Sequence, residues 1–271
     1  MRRFSFLLVV LSTAALATPI TPAAIVGSDG SDLLIPIAGR AQGFGGELFV
    51  TDVTLTNFGP EHQTVELTWL PQGGTAEPMT RQVVVQAYSI DTLEDVVGSL
   101  FETTGIGAIR VRGVDESGAP DDGSVIDAHA RIWTETTCAD LTGTVSQSVP
   151  SIVMDAAWRG GSGAYAHGVH EGPQYRTNYG IVNPTDAPIQ FVVYVNSEAG
   201  RRSEVVVVPA HGMIQRPVPF GVQGELSVYV EPLGNPPNLW RAYASSVDNR
   251  SGSGWTVVSM QPRADPPYLN N

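Results

Sequence analysis

One strand-like stretch occurs twice in this chain, and the duplication constrains the fold more than any other feature. Tyr175-Arg176-Thr177-Asn178-Tyr179-Gly180-Ile181-Val182-Asn183 repeats Phe49-Val50-Thr51-Asp52-Val53-Thr54-Leu55-Thr56-Asn57 at a shift of 126 residues. An aromatic leads each copy, Thr follows two residues on, Asp or Asn comes next, and Asn closes the copy. Odd positions carry Phe49, Thr51, Val53 and Leu55 in one copy and Tyr175, Thr177, Tyr179 and Ile181 in the other. That alternation is the period of a half-buried β-strand.

The same shift carries Val65, Leu67, Trp69 and Gly74 onto Phe191, Val193, Val195 and Gly200. Glu204 to Val208 matches the β-branched run Gln82 to Tyr88. Gly224 to Val228 is read as the answer to Gly107 to Val111, and Ala242-Tyr243-Ala244 as the answer to Ala128-His129-Ala130. About seven short strands per unit, separated by Gly, Pro and Asn turns, predict an all-β chain of two tandem immunoglobulin-like β-sandwich domains. Leu33-Leu34-Ile35-Pro36-Ile37 reads as an edge strand, where a proline's missing donor is tolerated. One segment breaks the pattern. Leu93, Val96, Val97, Leu100 and Phe101 share a helical face, and Asp91 with Glu94 resembles a capping box, which predicts one short helix over 92–101 in the first domain. The expected divisions are a signal peptide at 1–17, a flexible lead-in at 18–32, sandwiches at 33–154 and 173–263, a connecting segment at 155–172, and a tail at 264–271.

Met1-Arg2-Arg3, the apolar run Phe4 to Leu16 and Ala15-Leu16-Ala17 form the pattern of a secretory signal peptide, with cleavage expected near Ala17. The expectation is a secreted or periplasmic protein with no membrane span. The formal net charge is −12 and lysine is absent. Such a surface repels nucleic acid and names no partner of its own. Cys138 is the only cysteine, so no disulfide can form within the chain and stability must come from apolar cores.

Three motifs recur in order: the aromatic-Arg-Thr-Asn strand ending Asn183-Pro184, the hairpin glycine at Ala199-Gly200, and Ser245-Ser246-Val247-Asp248-Asn249. In this the chain resembles uncharacterised exported bacterial proteins built from tandem immunoglobulin-like β-sandwich units. The first copy departs from the pattern at Val50, at Asn57-Phe58 and at Thr134-Glu135. The resemblance implies fold and export and carries no activity.

The residues offer few chemical constellations. Thr51, Thr177, Asn57 and Asn183 appear in both copies, as scaffold residues do when buried hydroxyl and amide groups must be hydrogen-bonded. His167 and His170, near Asp155 and Glu171, invite a metal reading, but glycines around them oppose the helix that would make them converge. Asp115, Glu116, Asp121 and Asp122 form a calcium candidate without EF-hand spacing, against the plain reading of a solvated loop. Gly160-Gly161-Ser162-Gly163-Ala164 lacks the closing glycine of a nucleophile elbow. No base neighbours Cys138 in sequence, which fits an inert thiol. Trp158, Trp240 and Tyr243 are candidates for ligand stacking, against the commoner fate of filling a core or seam.

The function expected is a non-catalytic exported structural or binding module at the cell exterior, without cofactor, acting on a cell-envelope protein or glycan. The alternatives are a carbohydrate-binding accessory module and a divergent secreted hydrolase. A flat exposed aromatic strip would favour glycans, and an apolar strip along an edge strand would favour protein partners. No single substitution of His129, Cys138, His167 or His170 should abolish biological activity. Turnover in a screen of glycosidic, ester and peptide substrates that vanishes in one such variant, with its fold intact by circular dichroism, would contradict this.

Overall fold

The computed structural model describes residues 30–43, 46–138, 141–154, 161–219 and 221–261. The expected signal peptide, most of the lead-in and the tail at 264–271 lie outside them. The chain is all-β. The first half contains β1 (Asp32–Gln42), β2 (Leu48–Asn57), β3 (Gln63–Pro71), β4 (Met79–Val85), β5 (Ile90–Leu93), the helix α1 (Val96–Ser99), β6 (Gly105–Val114), β7 (Ile126–Cys138), β8 (Leu141–Pro150) and β9 (Ile152–Val153). The second half contains β10 (Ala164–Glu171), β11 (Tyr175–Asn183), β12 (Ile189–Ser197), β13 (Gly200–Val208), β14 (Gly212–Pro217), β15 (Gly224–Pro232), β16 (Arg241–Asp248) and β17 (Gly254–Val258).

Strand order shows the duplication directly. In the second half one sheet runs β10-β15-β12-β13 and the other β14-β11-β16-β17. The first half runs β1-β6-β3-β4 and β5-β2-β7-β8, the same order strand for strand, with β1 bending at Ala41–Gln42 to pair with β2 and join the two sheets. The second strand pairs with the fifth and the third with the sixth, as in immunoglobulin domains. The first and seventh strands have exchanged sheets relative to the constant-type order. Inward residues of both sheets meet in each half, Val53, Val65 and Ile109 in one core and Phe191, Val193 and Leu226 in the other. Full burial of such a side chain contributes about 1.5–3 kcal/mol.

Polar residues repeated in the sequence tie the two sheets of each sandwich together. Asn57 Nδ2 reaches the carbonyls of Glu61 (2.7 Å), Gln86 (3.1 Å) and Val85 (3.3 Å), and its Oδ1 accepts from Gly59 N (2.8 Å). Asn183 does the same with Ala187 (2.8 Å), Pro209 (3.0 Å), Val208 (3.3 Å) and Thr185 N (3.0 Å). Each asparagine thus leaves its own strand and binds the end of β4 or β13 in the opposite sheet. Thr51 exchanges two hydrogen bonds with Gly39 of β1 (2.8 and 2.9 Å), and Thr177 bonds the His170 carbonyl of β10 and the Ser246 hydroxyl.

The structure corrects four sequence-based expectations. The helix is a single turn rather than 92–101. Ile90–Leu93 instead covers the open edge of β2, and Asp95, not Asp91, is the cap, its carboxylate accepting from Gly98 N at 3.3 Å. The apolar stripe is still buried, with Val96, Val97 and Phe101 at most 1% exposed. β1 is no edge strand: β6 and β9 flank it, and Pro36 is accommodated where the register shifts between Ile35 and Ala38. The stretch 155–172, expected to connect the sandwiches, contains β10, whose small inward residues Ala164 and Ala166 and bulge at Gly168 disguise a strand. By register, Ile109 answers Val228 rather than Leu226, because Trp69 faces Ile109 as Val195 faces Val228. The two glycines that suggested the other alignment serve different ends. A Cβ on Gly107 would stand 2.6 Å from the Trp69 ring, whereas Gly224 adopts a φ of 86°.

The two sandwiches share a core. Val182, Met213 and Tyr243 of the second half pack into the apolar cluster of the first. Met213 bridges Gln72 and accepts from Gly73 N (3.1 Å), and Gln147 on β8 bonds Ser245 (2.8 Å) and Thr256 of the second half. No helix among the described residues is long and apolar enough to cross a membrane.

Asn57→Ala and Asn183→Ala should each cost about 2–3 kcal/mol in chemical denaturation, since each strands buried carbonyls without a donor. A loss below about 0.5 kcal/mol for either would refute their role as ties between sheets.

Candidate functional site

The residues singled out in the sequence do not assemble into one site. Asp115 Oδ1 accepts from Ser117 N (2.8 Å), Ser117 Oγ (2.6 Å) and Ala119 N (3.0 Å), and Asp121 Oδ1 accepts from Gly123 N (3.0 Å). These bonds hold the Asp115 carboxyl below its usual range, the Ser117 hydroxyl foremost. Among the described residues no group of three His, Cys, Asp or Glu gathers where an ion could sit. His167 and His170 are exposed on β10, with the bulge between them. His129 is exposed and lies 3.0 Å from Ser148 Oγ. Asp155, Trp158 and the Cys138 side chain lie outside the described residues.

Trp240 and Tyr243 are not stacking platforms. Trp240 is 0% exposed and meets Phe191 edge-on at 5.0 Å. Tyr243 is 1% exposed, and its hydroxyl donates to Gln215 Oε1 at 2.7 Å. The alternation of β16 placed Tyr243 on an outer face correctly, but that face is the one the first sandwich covers.

A surface that sequence reading missed emerges when the same outer face is compared in the two sandwiches. On the β1-β6-β3-β4 sheet, where this face turns toward the second half, internally paired polar residues lie beside the buried Leu34, Leu70 and Ala108. Arg110 holds Asp32 through two bonds (2.6 and 2.9 Å), Arg112 holds Glu66 (2.6 Å), and Thr68 faces Thr80 (3.4 Å). On β10-β15-β12-β13 the positions of Glu66, Thr68 and Arg110 are taken by Val192, Tyr194 and Tyr229, while those of Arg112 and Thr80 stay polar as Glu231 and Ser203. Tyr165, Tyr229 and Tyr194 lie side by side on three neighbouring strands. Their centroids are 4.3 Å apart for the first pair and 5.8 Å for the second, at interplanar angles of 23° and 17°. Arg201 extends the stack, its guanidinium 3.7 Å from the centre of the Tyr194 ring. Beside it Val205 and Val207 are 55% and 54% exposed. Burial first, then the Glu231 carboxylate, pushes the Tyr229 phenol up to about 12. The signal was present in the sequence. Outward positions of β12 and β15 carry Val192, Tyr194 and Tyr229, where their counterparts carry Glu66, Thr68 and Arg110.

This face ends at an open edge. Among the described residues β13 pairs with β12 alone, and the backbone on its far side has no strand partner there. Its inward Glu204 is held by the Tyr179 hydroxyl (2.8 Å) and Arg216 (3.2 Å), and Arg201 and Arg202 stand exposed at its start. Charges of this kind protect one half of the edge. The other half is the uninterrupted run Val205 to Val208.

A second concavity lies where the sandwiches meet, a cleft of about 220 Å³ walled by Ile37, Phe49, Ile106 and Ile132 and rimmed by Arg176, Asn178 and Gln215. Asn178 repeats the position of Asp52, whose carboxylate is committed to Asp95 N (2.9 Å) and Trp133 Nε1 (2.7 Å).

No family model matches the chain, and no curated protein matches it. Among solved structures the chain is similar to the crystal structure of Thermotoga maritima 1070, with 9% sequence identity and a TM-score of 0.32 over 39% of this chain and 98% of that one. A likeness of that size carries no argument about activity.

Proposed function

We propose that the chain is an exported, non-catalytic module that works at the cell exterior by holding a protein partner against the outer face of its second sandwich. One observation carries the reading. Where this face of the first copy carries Glu66, Thr68 and Arg110, the second carries Val192, Tyr194 and Tyr229, and the two tyrosines join Tyr165 in a stack beside the exposed Val205 and Val207. Apolar surface left in water costs roughly 25 cal/mol per Å², and a contiguous patch rimmed by charge marks a place where something docks. The open edge of β13 supports a partner that adds an extended strand, with apolar residues against Val205 and Val207 and an acidic residue near Arg201 and Arg202.

The glycan alternative needs ring faces open to solvent. Here Tyr229 lies between two tyrosines and Arg201 lies over Tyr194, so the stack presents mainly edges and hydroxyls. Export rests on the residue pattern at 1–17, and the scaffold reading of the repeated polar residues supports a module whose function lies on its surface.

Photo-crosslinking in producing cells tests this. A crosslinker at position 205 or 207 should capture the same envelope protein through one extended segment, and a crosslinker at the half-buried Thr54 should not. Val207→Lys should weaken capture about tenfold, a loss of about 1.4 kcal/mol. Equal capture from position 54 would overturn the reading, and glycan binding lost in Tyr165→Ala would replace it.

A further inference from the structure

The cleft between the sandwiches carries an inference independent of the outer face. We infer that it binds a small monocarboxylate with an apolar tail, the carboxylate on Arg176 and Asn178 and the tail along Ile37, Ile106 and Phe49. The charge pattern points to an anion. The chain carries 27 acids against 15 arginines, yet no acid lines this cleft and Arg176 is its one charged residue. Of the five N–H donors of that guanidinium, one is engaged by Asn249 Oδ1 at 3.0 Å, which leaves a pair for a carboxylate.

The neighbouring groups are donors as well. Among the described residues the Asn178 amide makes no hydrogen bond, whereas Asp52 at the repeated position makes two. Gln215 Oε1 accepts a hydrogen bond from the Tyr243 hydroxyl, which leaves its Nε2 to donate. In the first copy, Val50 stands where Arg176 does, so this donor set exists only once. Ile37, Phe49, Ile106, Ile132 and Val247 give the cleft an apolar wall, with Ile37 only 8% exposed. Ser146, Gln147 and Ser245 add uncharged polar groups. Gln147, bonded to Ser245 and Thr256 across the seam, fixes the two sides of the cleft relative to each other. A volume of about 220 Å³ falls below the roughly 300–1,000 Å³ of pockets that enclose drug-sized ligands. It suits a short-chain acid or the last residue of a peptide with a free C-terminus.

Calorimetric titration of the mature protein tests the assignment with octanoate, octanamide, and an acetylated Ala-Ala-Leu peptide with a free or an amidated C-terminus. One acid should bind with one-to-one stoichiometry and at least about tenfold more tightly than its amide. Arg176→Gln should remove that preference, and Asn178→Ala should weaken binding severalfold. Arg176 is exposed and makes one side-chain bond, so its variant should fold, which circular dichroism checks. Tighter binding of the peptide acid assigns the site to chain ends, and tighter binding of octanoate assigns it to free acids. Absence of binding by both acids, equal binding of acids and amides, or undiminished binding by Arg176→Gln overturns the inference.

Discussion

Tyr243 belongs to the surface of one sandwich and the core of the other, and the arrangement of the molecule follows from that double membership. It stands outward on β16, opposite Gly180 on β11. A Cβ on Gly180 would lie 2.1 Å from the Tyr243 ring, so only glycine leaves room for the ring to lie across its own sheet. Val182 and Met213 flank it, and all three enter the apolar cluster of the first sandwich. The equivalent residue of the first sandwich is His129, which is exposed. The seam is therefore head to tail. It joins one face of the first unit to a different face of the second, which leaves the counterpart of the first unit's seam-side face uncovered on the second. That face, which no strand of the first unit covers among the described residues, is the one that carries the tyrosine stack.

Within each unit a single amide does comparable work. A sandwich whose sheets touched only through apolar side chains could slide at modest cost, because dispersion has no direction. Asn57 and Asn183 add direction, since each binds backbone carbonyls of the opposite sheet at fixed distances. Buried carbonyls that lose such a donor have no water to turn to. The duplication of these residues is thus a mechanical requirement met twice. The seam and the cleft involve residues that are not duplicated in kind: Tyr243 against His129, Arg176 against Val50, Asn178 against Asp52.

Much of this was legible in the residues. The shift of 126 fixed the correspondence of β2 with β11 and β3 with β12, and the repeated Asn and Thr were identifiable as scaffold from their burial pattern and type. Local periodicity failed where tertiary pairing decided the outcome. A helical stripe runs from Leu93 to Phe101, but β2 offered Ile90–Leu93 an edge to bond, and only one helical turn remained. Trp240, expected to open a strand at a sandwich edge, lies just ahead of β16 in the core of its own unit. Tyr243 stands outward on β16 under the other unit, because alternation tells inward from outward and not which outward face another unit will cover. The tyrosine stack was hidden for the same reason. Tyr165, Tyr194 and Tyr229 lie far apart in sequence, and only the strand order β10-β15-β12 brings them into one row.

Native-state hydrogen exchange on Tyr243→Ala tests the central claim, that two repeats are welded by one shared core, most directly. Losing a buried ring of this size costs about 3–5 kcal/mol. If the seam couples the halves, the slowest amides of β3 and β6 in the first sandwich and of β12 and β15 in the second should all be protected by one common free energy. That free energy should fall together in both halves of the variant. Protection lost in the second sandwich alone, with the first unchanged, would contradict the account.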